Sequence, residues 1–278
     1  MTEPPSLSER MYPWKRRLGP LYWLYRGWRG ATTGLCFVAF WGGAVILAWL
    51  GIPWLWLWPG SRAQKRRRTH AAMRLGFKLF HGIMHALRLY HPRSPVALPR
   101  FGDVPADQPC VLVANHPSLC DVTSIASLFP NVVAVARPSL ANFPLLRWLV
   151  RGMGFVPVGV HMLEECQERL RSGFDLLVFP EGTRSPFGGG LQVFHRGAFE
   201  IAARAGVPII LLELTCVPPA LGKRLPIWKH PDHQAILTVE PFAAISPSRD
   251  SRALCREIER RYHQILGYPD PAARREVT

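Results

Sequence analysis

His116 and Asp121 stand with four residues between them in the segment Asn115-His116-Pro117-Ser118-Leu119-Cys120-Asp121. A histidine paired with a carboxylate can work as an oriented base: the imidazole takes a proton near neutral pH, and the carboxylate fixes its tautomer and steadies the imidazolium that forms. With a hydroxyl compound as substrate, the substrate oxygen itself is the nucleophile. Ser118 could instead carry an acyl group. Its place after Pro117 reads more simply as the N-cap of a helix. Cys120 is expected to be buried and inert. H-x4-D is a short pattern that chance supplies easily, so it gains weight only with the second polar segment, Phe179-Pro180-Glu181-Gly182-Thr183-Arg184-Ser185. There Gly182 lets backbone amides approach a ligand, and Arg184 offers a planar fork suited to phosphate, a salt bridge to Glu181 being its plainer use. Arg137 and Arg196 are weaker basic candidates. The cluster His230-Pro231-Asp232-His233 lacks a further ligand set and reads as a surface loop, and no metal is expected.

Those residues need a scaffold, and the chain from residue 96 onward supplies one. Short apolar runs at 110–114, 132–136, 155–160, 175–179, 208–214 and 235–240 alternate with helical stretches near 118–128, 143–152, 162–172, 196–205 and 250–266. Such alternation predicts an α/β domain with a central, mostly parallel or mixed sheet flanked by helices. Sites in these sheets form where strands end at their carboxyl side. Both polar segments follow an apolar run directly, so both are expected at that edge.

The two motifs stand in the order found in the glycerolipid acyltransferase family, which includes 1-acylglycerol-3-phosphate acyltransferases and carries NHxSxxD first and FPEGTRS third. The chain resembles that family from about residue 110 to 215, including Phe194-x-x-Gly197-Ala198 and Val207-Pro208-Ile209. The resemblance implies His116 as general base and Asp121 as its partner. It further implies an acceptor site of Glu181, Gly182, Thr183 and Arg184 with Asn115 and Ser118 beside it. Acyl-CoA or acyl-ACP would be the co-substrate, with no bound cofactor. The implied reaction acylates 1-acylglycerol-3-phosphate to phosphatidate. One departure bears on the acceptor: where relatives that use lysophosphatidate commonly carry a phosphate-binding Arg, this chain has Val160, followed by His161. Another acceptor, such as a lyso-amino-acid lipid, or CoA-independent transacylation are the alternatives within that chemistry. A non-catalytic membrane scaffold is the alternative outside it.

Charge and hydropathy place the domain at a membrane. The chain has 278 residues and a formal charge of +15. Residues 1–70 hold 11 Lys and Arg against 2 Asp and Glu, an excess that suits anionic head groups. A nucleic-acid groove would need that charge on a face interleaved with stacking aromatics, and is excluded as a partner. Residues 31–59 carry no charged side chain, enough to cross a bilayer, and are rich in tryptophan. Five basic residues on either flank cancel the orientation signal. Gly51-Ile52-Pro53 is expected to break the run into a re-entrant hairpin, with the catalytic domain on the cytoplasmic face of the inner cell membrane. No cleavage pattern follows the apolar run, so the anchor is expected to stay. Residues 72–90 form an amphipathic helix with Leu75, Leu79, Ile83 and Leu87 on one stripe, expected on the membrane or beneath the hairpin. The six scattered cysteines are expected as reduced, structural thiols. The division is thus 1–30 interface segment, 31–60 spanning or re-entrant segment, 61–95 basic amphipathic helix and 96–278 acyltransferase domain, with oligomeric state open.

Overall fold

The computed structural model describes residues 12–14, 19–96, 101–105, 107–138, 142–144, 147–187 and 189–269. Its first helix, α1, runs from Leu21 to Leu57 without the break expected at Gly51-Ile52-Pro53. A single wide turn, Leu47–Gly51, takes up the irregularity, and Pro53 falls in the first turn of the α-helical segment that follows. A missing N–H costs least there, so the proline bends nothing. The reversal comes later, at Trp58–Ser61, where Ser61 and Gln64 form reciprocal caps on α2, Arg62–Ala86.

The two helices lie antiparallel. Phe40 of α1 packs on Phe77 and Phe80 of α2, with ring centroids 6.1 and 4.6 Å apart. Helix α2 starts earlier and stops earlier than its apolar stripe suggested, because it carries two stripes. Met73, Phe77, Phe80 and Met84 are buried, whereas Leu75, Leu79, Ile83 and Leu87 are exposed. Hydrogen bonds from its buried histidines fasten α2 to the α/β domain: His70 Nε2 pairs with the Val132 carbonyl at 2.8 Å and His81 Nε2 with Thr123 Oγ1 at 3.0 Å.

After α2 the chain turns at Arg88, whose φ is 52°, into β1, Tyr90–Arg93. This strand joins the catalytic sheet, so the domain begins before residue 96. There follow β2 (Val111–Ala114), α3 (Asp121–Leu128), β3 (Val132–Ala136), α4 (Arg147–Gly152), β4 (Val156–Pro157) and α5 (Met162–Arg171). Then come β5 (Asp175–Val178), α6 (Gly197–Ala205), β6 (Ile209–Val217), β7 (Ala235–Ile245) and α7 (Ser251–Ile265). The apolar run 155–160 is strand only at Val156–Pro157. Helix α3 begins at Asp121, not at Ser118.

The sheet is mixed, in the order β1-β7-β6-β2-β5-β3-β4; β6 and β7 are antiparallel and all other neighbours parallel. Its centre is β2, every residue of which is buried. Such strands read as continuous apolar runs because helices cover both faces.

The loop His230-Pro231-Asp232-His233 is not a surface loop. His230 and Asp232 are fully buried beneath the start of α1. Arg29 Nε donates to the Pro231 carbonyl at 3.0 Å and Arg29 Nη2 reaches the His233 carbonyl at 3.3 Å. Tyr22 Oη donates to Asp232 Oδ1 at 3.4 Å, and Tyr25 Oη to the Asp232 carbonyl at 2.6 Å. Arg26, Arg29, Tyr22 and Tyr25, read in sequence as flanking charge and aromatic belt, therefore serve as a clamp between helix and domain. Four polar side chains converge on backbone carbonyls from more than 200 positions away, which no local pattern announces.

Candidate active site

Strands β2 and β5 are parallel neighbours, with Val113 opposite Val178. Their exits therefore lie side by side, and the segments 115–121 and 179–185 meet at one edge of the sheet. The union is made by Glu181, which is buried. Its Oε1 accepts from the His116 backbone N–H at 3.0 Å and from Ser185 Oγ at 2.5 Å, while Oε2 accepts from the Gln192 N–H at 2.8 Å. The Ser185 N–H returns to the His116 carbonyl at 2.8 Å. Burial pushes the Glu181 carboxyl up, opposed by these donors. Sequence reading put Glu181 on the substrate. Its oxygens are occupied by backbone and Ser185, so it holds the two loops in register.

His116 Nδ1 lies 2.8 Å from Asp121 Oδ2, and the same oxygen accepts the Ser118 N–H at 2.8 Å. The imidazole lies flat on Phe179, with centroids 4.1 Å apart and planes 20° apart. One ring edge is thus held by a carboxylate, one face by an aromatic, and part of the side chain stays open to solvent. Asp121 is fully buried, which pushes its carboxyl up against the lowering influence of the His116 and Ser118 hydrogen bonds. An anion in such a place is stabilised chiefly by the imidazole, which fixes the tautomer: Nδ1 carries the proton and Nε2 is left to accept one.

The remaining candidates divide. Arg184 Nη1 donates to the Leu221 and Gly222 carbonyls, both at 3.0 Å, so the salt bridge to Glu181 weighed as its alternative is not made. It still lies near enough to Asp121 to lower that carboxyl. Arg137 follows β3 directly and donates through Nη2 to the Gly182 carbonyl at 3.0 Å, which brings a second guanidinium to the same loop. Gly182 has φ +62°, a backbone shape that favours glycine, and the His195 ring would lie 3.3 Å from a Cβ placed there. Thr183 is half-buried beside it.

Asn115 is a correction. Its amide spans to β6, with Nδ2 on the Leu214 carbonyl at 2.9 Å and Oδ1 on the Leu214 N–H at 2.8 Å. Both ends are used in joining β2 to β6. Ser118 is completely buried, and its Oγ accepts weakly from the Cys120 N–H at 3.4 Å. It neither caps α3 nor faces outward as a nucleophile would. Cys120 is buried, and burial raises its thiol well out of the reactive range. Val160 is 92% exposed and His161 is exposed beside it. Arg196 lies on the surface, 3.9 Å from Glu200. Sequence reasoning passed over Phe179 and Ser185, although both stand in the quoted motif.

The family described as Acyltransferase matches residues 100–212, which hold the His116–Asp121 pair, Arg137 and the 179–185 loop. Over that stretch the chain belongs to the glycerolipid acyltransferase family. A chloroplastic 1-acyl-sn-glycerol-3-phosphate acyltransferase of Brassica napus is 34% identical over 144 residues, 48% of this chain and 40% of that protein. The alpha form of 1-acyl-sn-glycerol-3-phosphate acyltransferase of Mus musculus is 30% identical over 172 residues, 58% of this chain and 59% of that protein. The chain spans less than half the length of the first of these relatives and under two thirds of the second. The crystal structure of the 1-acyl-sn-glycerophosphate acyltransferase of Thermotoga maritima superimposes with a TM-score of 0.65 over 87% of this chain and 98% of that one. At 21% identity that likeness concerns the fold, including the mixed sheet and its flanking helices. The Leu221–Gly222 turn that holds Arg184 and the 230–233 clamp lie beyond the family match.

Proposed function

We propose that the protein is a membrane-bound O-acyltransferase that moves a fatty acyl chain from a thioester, acyl-CoA or acyl-ACP, to the free hydroxyl of 1-acylglycerol-3-phosphate. The observation that carries this reading is the 2.8 Å contact between His116 Nδ1 and Asp121 Oδ2 at the strand edge, beside a loop flanked by two arginines. Nε2 of His116 takes the hydroxyl proton as the oxygen attacks the thioester carbonyl, and Asp121 stabilises the imidazolium. Collapse of the tetrahedral adduct expels the thiolate, to which the imidazolium returns the proton.

Arg137 and Arg184 supply the phosphate recognition that Val160 does not. Each spends one nitrogen on a backbone carbonyl, leaving the other guanidinium donors for an anion. The names of the relatives support the same acceptor.

The membrane reading rests on α1. It is 37 residues long, with an 18-residue window of mean hydropathy 2.2, and it exposes Trp41, Trp49, Leu50, Trp54 and Trp58. One side of α1 is buried against α2 and α4, and α2 is strongly basic at its start. The helix pair therefore lies along the domain and enters lipid from one side, holding the site at the cytoplasmic surface of the inner membrane, where amphiphilic substrates reside.

The test is transfer in membranes supplied with acyl-CoA and 1-acylglycerol-3-phosphate. His116→Ala and Asp121→Asn should each lower kcat by about two to four orders of magnitude. Near-normal turnover by the histidine variant sinks the mechanism; acylation of another lysolipid in place of lysophosphatidate sinks the acceptor.

A further inference from the structure

Along the outer face of α6 runs a groove of about 310 Å³ lined by Arg196, Glu200, Ala203 and Arg204 on one side and by Arg249 and Ser251 on the other. Three guanidiniums face one carboxylate. Glu200 is shared between Arg204, at 2.7 Å, and Arg196, at 3.9 Å, so it lines the two up along the helix and leaves the groove with surplus positive charge. Among the described residues Arg249 has no carboxylate partner.

The groove is connected to the reacting edge. Arg196 follows His195, whose N–H donates to the Pro180 carbonyl at 2.8 Å and whose ring lies against Gly182. From Arg196 the helix descends eight residues to Arg204, about 12 Å at the rise of an α-helix. Arg249 follows the end of β7, where Ile245 pairs with Ile209, the first residue of β6 and thus the far edge of the sheet. The basic track therefore leads from the acyl-transfer edge down the flank of the domain.

We propose that this groove binds the phosphates of coenzyme A when the acyl donor is a CoA thioester, with Arg196, Arg204 and Arg249 as the phosphate contacts. The inference rests on the acyl-transfer reading and adds a donor site to it. A CoA thioester must place its carbonyl at His116 while its nucleotide, at the end of a long flexible arm, rests at a distance. Guanidinium forks suit phosphate oxygens, and a compact concavity suits a nucleotide better than the acidic helix of a carrier protein, which needs a broad, open face.

The experiment uses the full chain in detergent micelles, with adenosine 3′,5′-bisphosphate as the binding probe, and compares wild type with Arg204→Ala/Arg249→Ala and with Arg204→Lys/Arg249→Lys. For the alanine pair the probe should bind about tenfold more weakly, with the KM for acyl-CoA raised to a similar extent, as loss of one good ionic contact gives. The lysine pair should fall between. With an acyl-N-acetylcysteamine thioester, which has no phosphate, the alanine pair and wild type should transfer equally. Unchanged probe affinity and unchanged acyl-CoA KM overturn the proposal, as does a loss seen with acyl-ACP in place of acyl-CoA. If wild type transfers from no thioester at all, the acyl-transfer reading fails, while the probe titration still decides whether the groove holds phosphates.

Discussion

The backbone N–H of His116 donates to Oε1 of Glu181 at 3.0 Å across a separation of 65 positions. The carboxylate thus acts on the imidazole through the main chain, fixing where the strand exit of β2 sits relative to that of β5. Glu181→Gln keeps the volume but turns an N–H toward the Ser185 hydroxyl or the Gln192 amide, where donors already stand. A fall in kcat of about 10- to 100-fold is expected from a barrier rise of about 1.4–2.8 kcal/mol. The lysolipid KM should move little, since Glu181 touches no ligand. A variant whose KM rises at constant kcat would put Glu181 on the substrate after all.

Arg137 and Arg184 should separate by what each also holds. Arg137→Ala removes an exposed guanidinium with one carbonyl contact, and about a tenfold rise in KM for lysophosphatidate is expected at nearly constant kcat. Arg184→Ala additionally frees the Leu221 and Gly222 carbonyls, so a loss of stability of about 1–3 kcal/mol should accompany the rise. Steady-state kinetics with lysophosphatidate and with an uncharged monoacylglycerol checks this. Equal KM changes for both acceptors would remove phosphate from the account.

Asp175 offers a test in pH. Burial pushes its carboxyl from 3.8 up to about 6, against the lowering effect of the Cys110 N–H, 3.1 Å away. The folded chain therefore holds this proton more tightly than the unfolded one. Stability is greatest below pH 4, falls as pH rises toward 6, and is level above it, a loss of about 3 kcal/mol for a shift of some two units. Asp175→Asn keeps a carbonyl for the Cys110 N–H and has nothing to ionise. Its melting temperature should exceed that of wild type at pH 7.5 and converge with it near pH 4; parallel curves would show that Asp175 does not carry the effect.

The exposed stripe of α2 gives the orientation of the domain on its membrane. An environment-sensitive fluorophore on Leu79→Cys should shift to the blue on anionic vesicles and resist an aqueous quencher, whereas one on Glu257→Cys in α7 should remain accessible. If both labels are quenched at the same rate, α2 does not face lipid.

Much of the scaffold was legible because it is local. Continuous apolar runs marked β2, β3, β5 and β6, for strands covered on both faces leave no room for polar residues. What failed was non-local or two-sided. Helix α2 buries one stripe and exposes another, so its visible stripe said nothing of where it begins. Strand β1 is four residues of Tyr-His-Pro-Arg that gain their identity from pairing with β7, 145 positions later at Tyr90 and Ala235. Pro53 did not end α1, because a wide turn before it placed the ring where a helix tolerates it.

The same division runs through the site. Residue types and order alone determined that His116 and Asp121 can form an oriented base, since five positions at the start of a helix bring the two side chains within reach whatever surrounds them. They also determined that two polar segments follow strands. Only the folded chain decided what the other conserved-looking polar side chains do, because burial and partners are settled by contacts between distant segments: Asn115 went to Leu214, Glu181 to the His116 backbone, Arg184 to the Leu221–Gly222 turn, and the 230–233 loop to the base of α1.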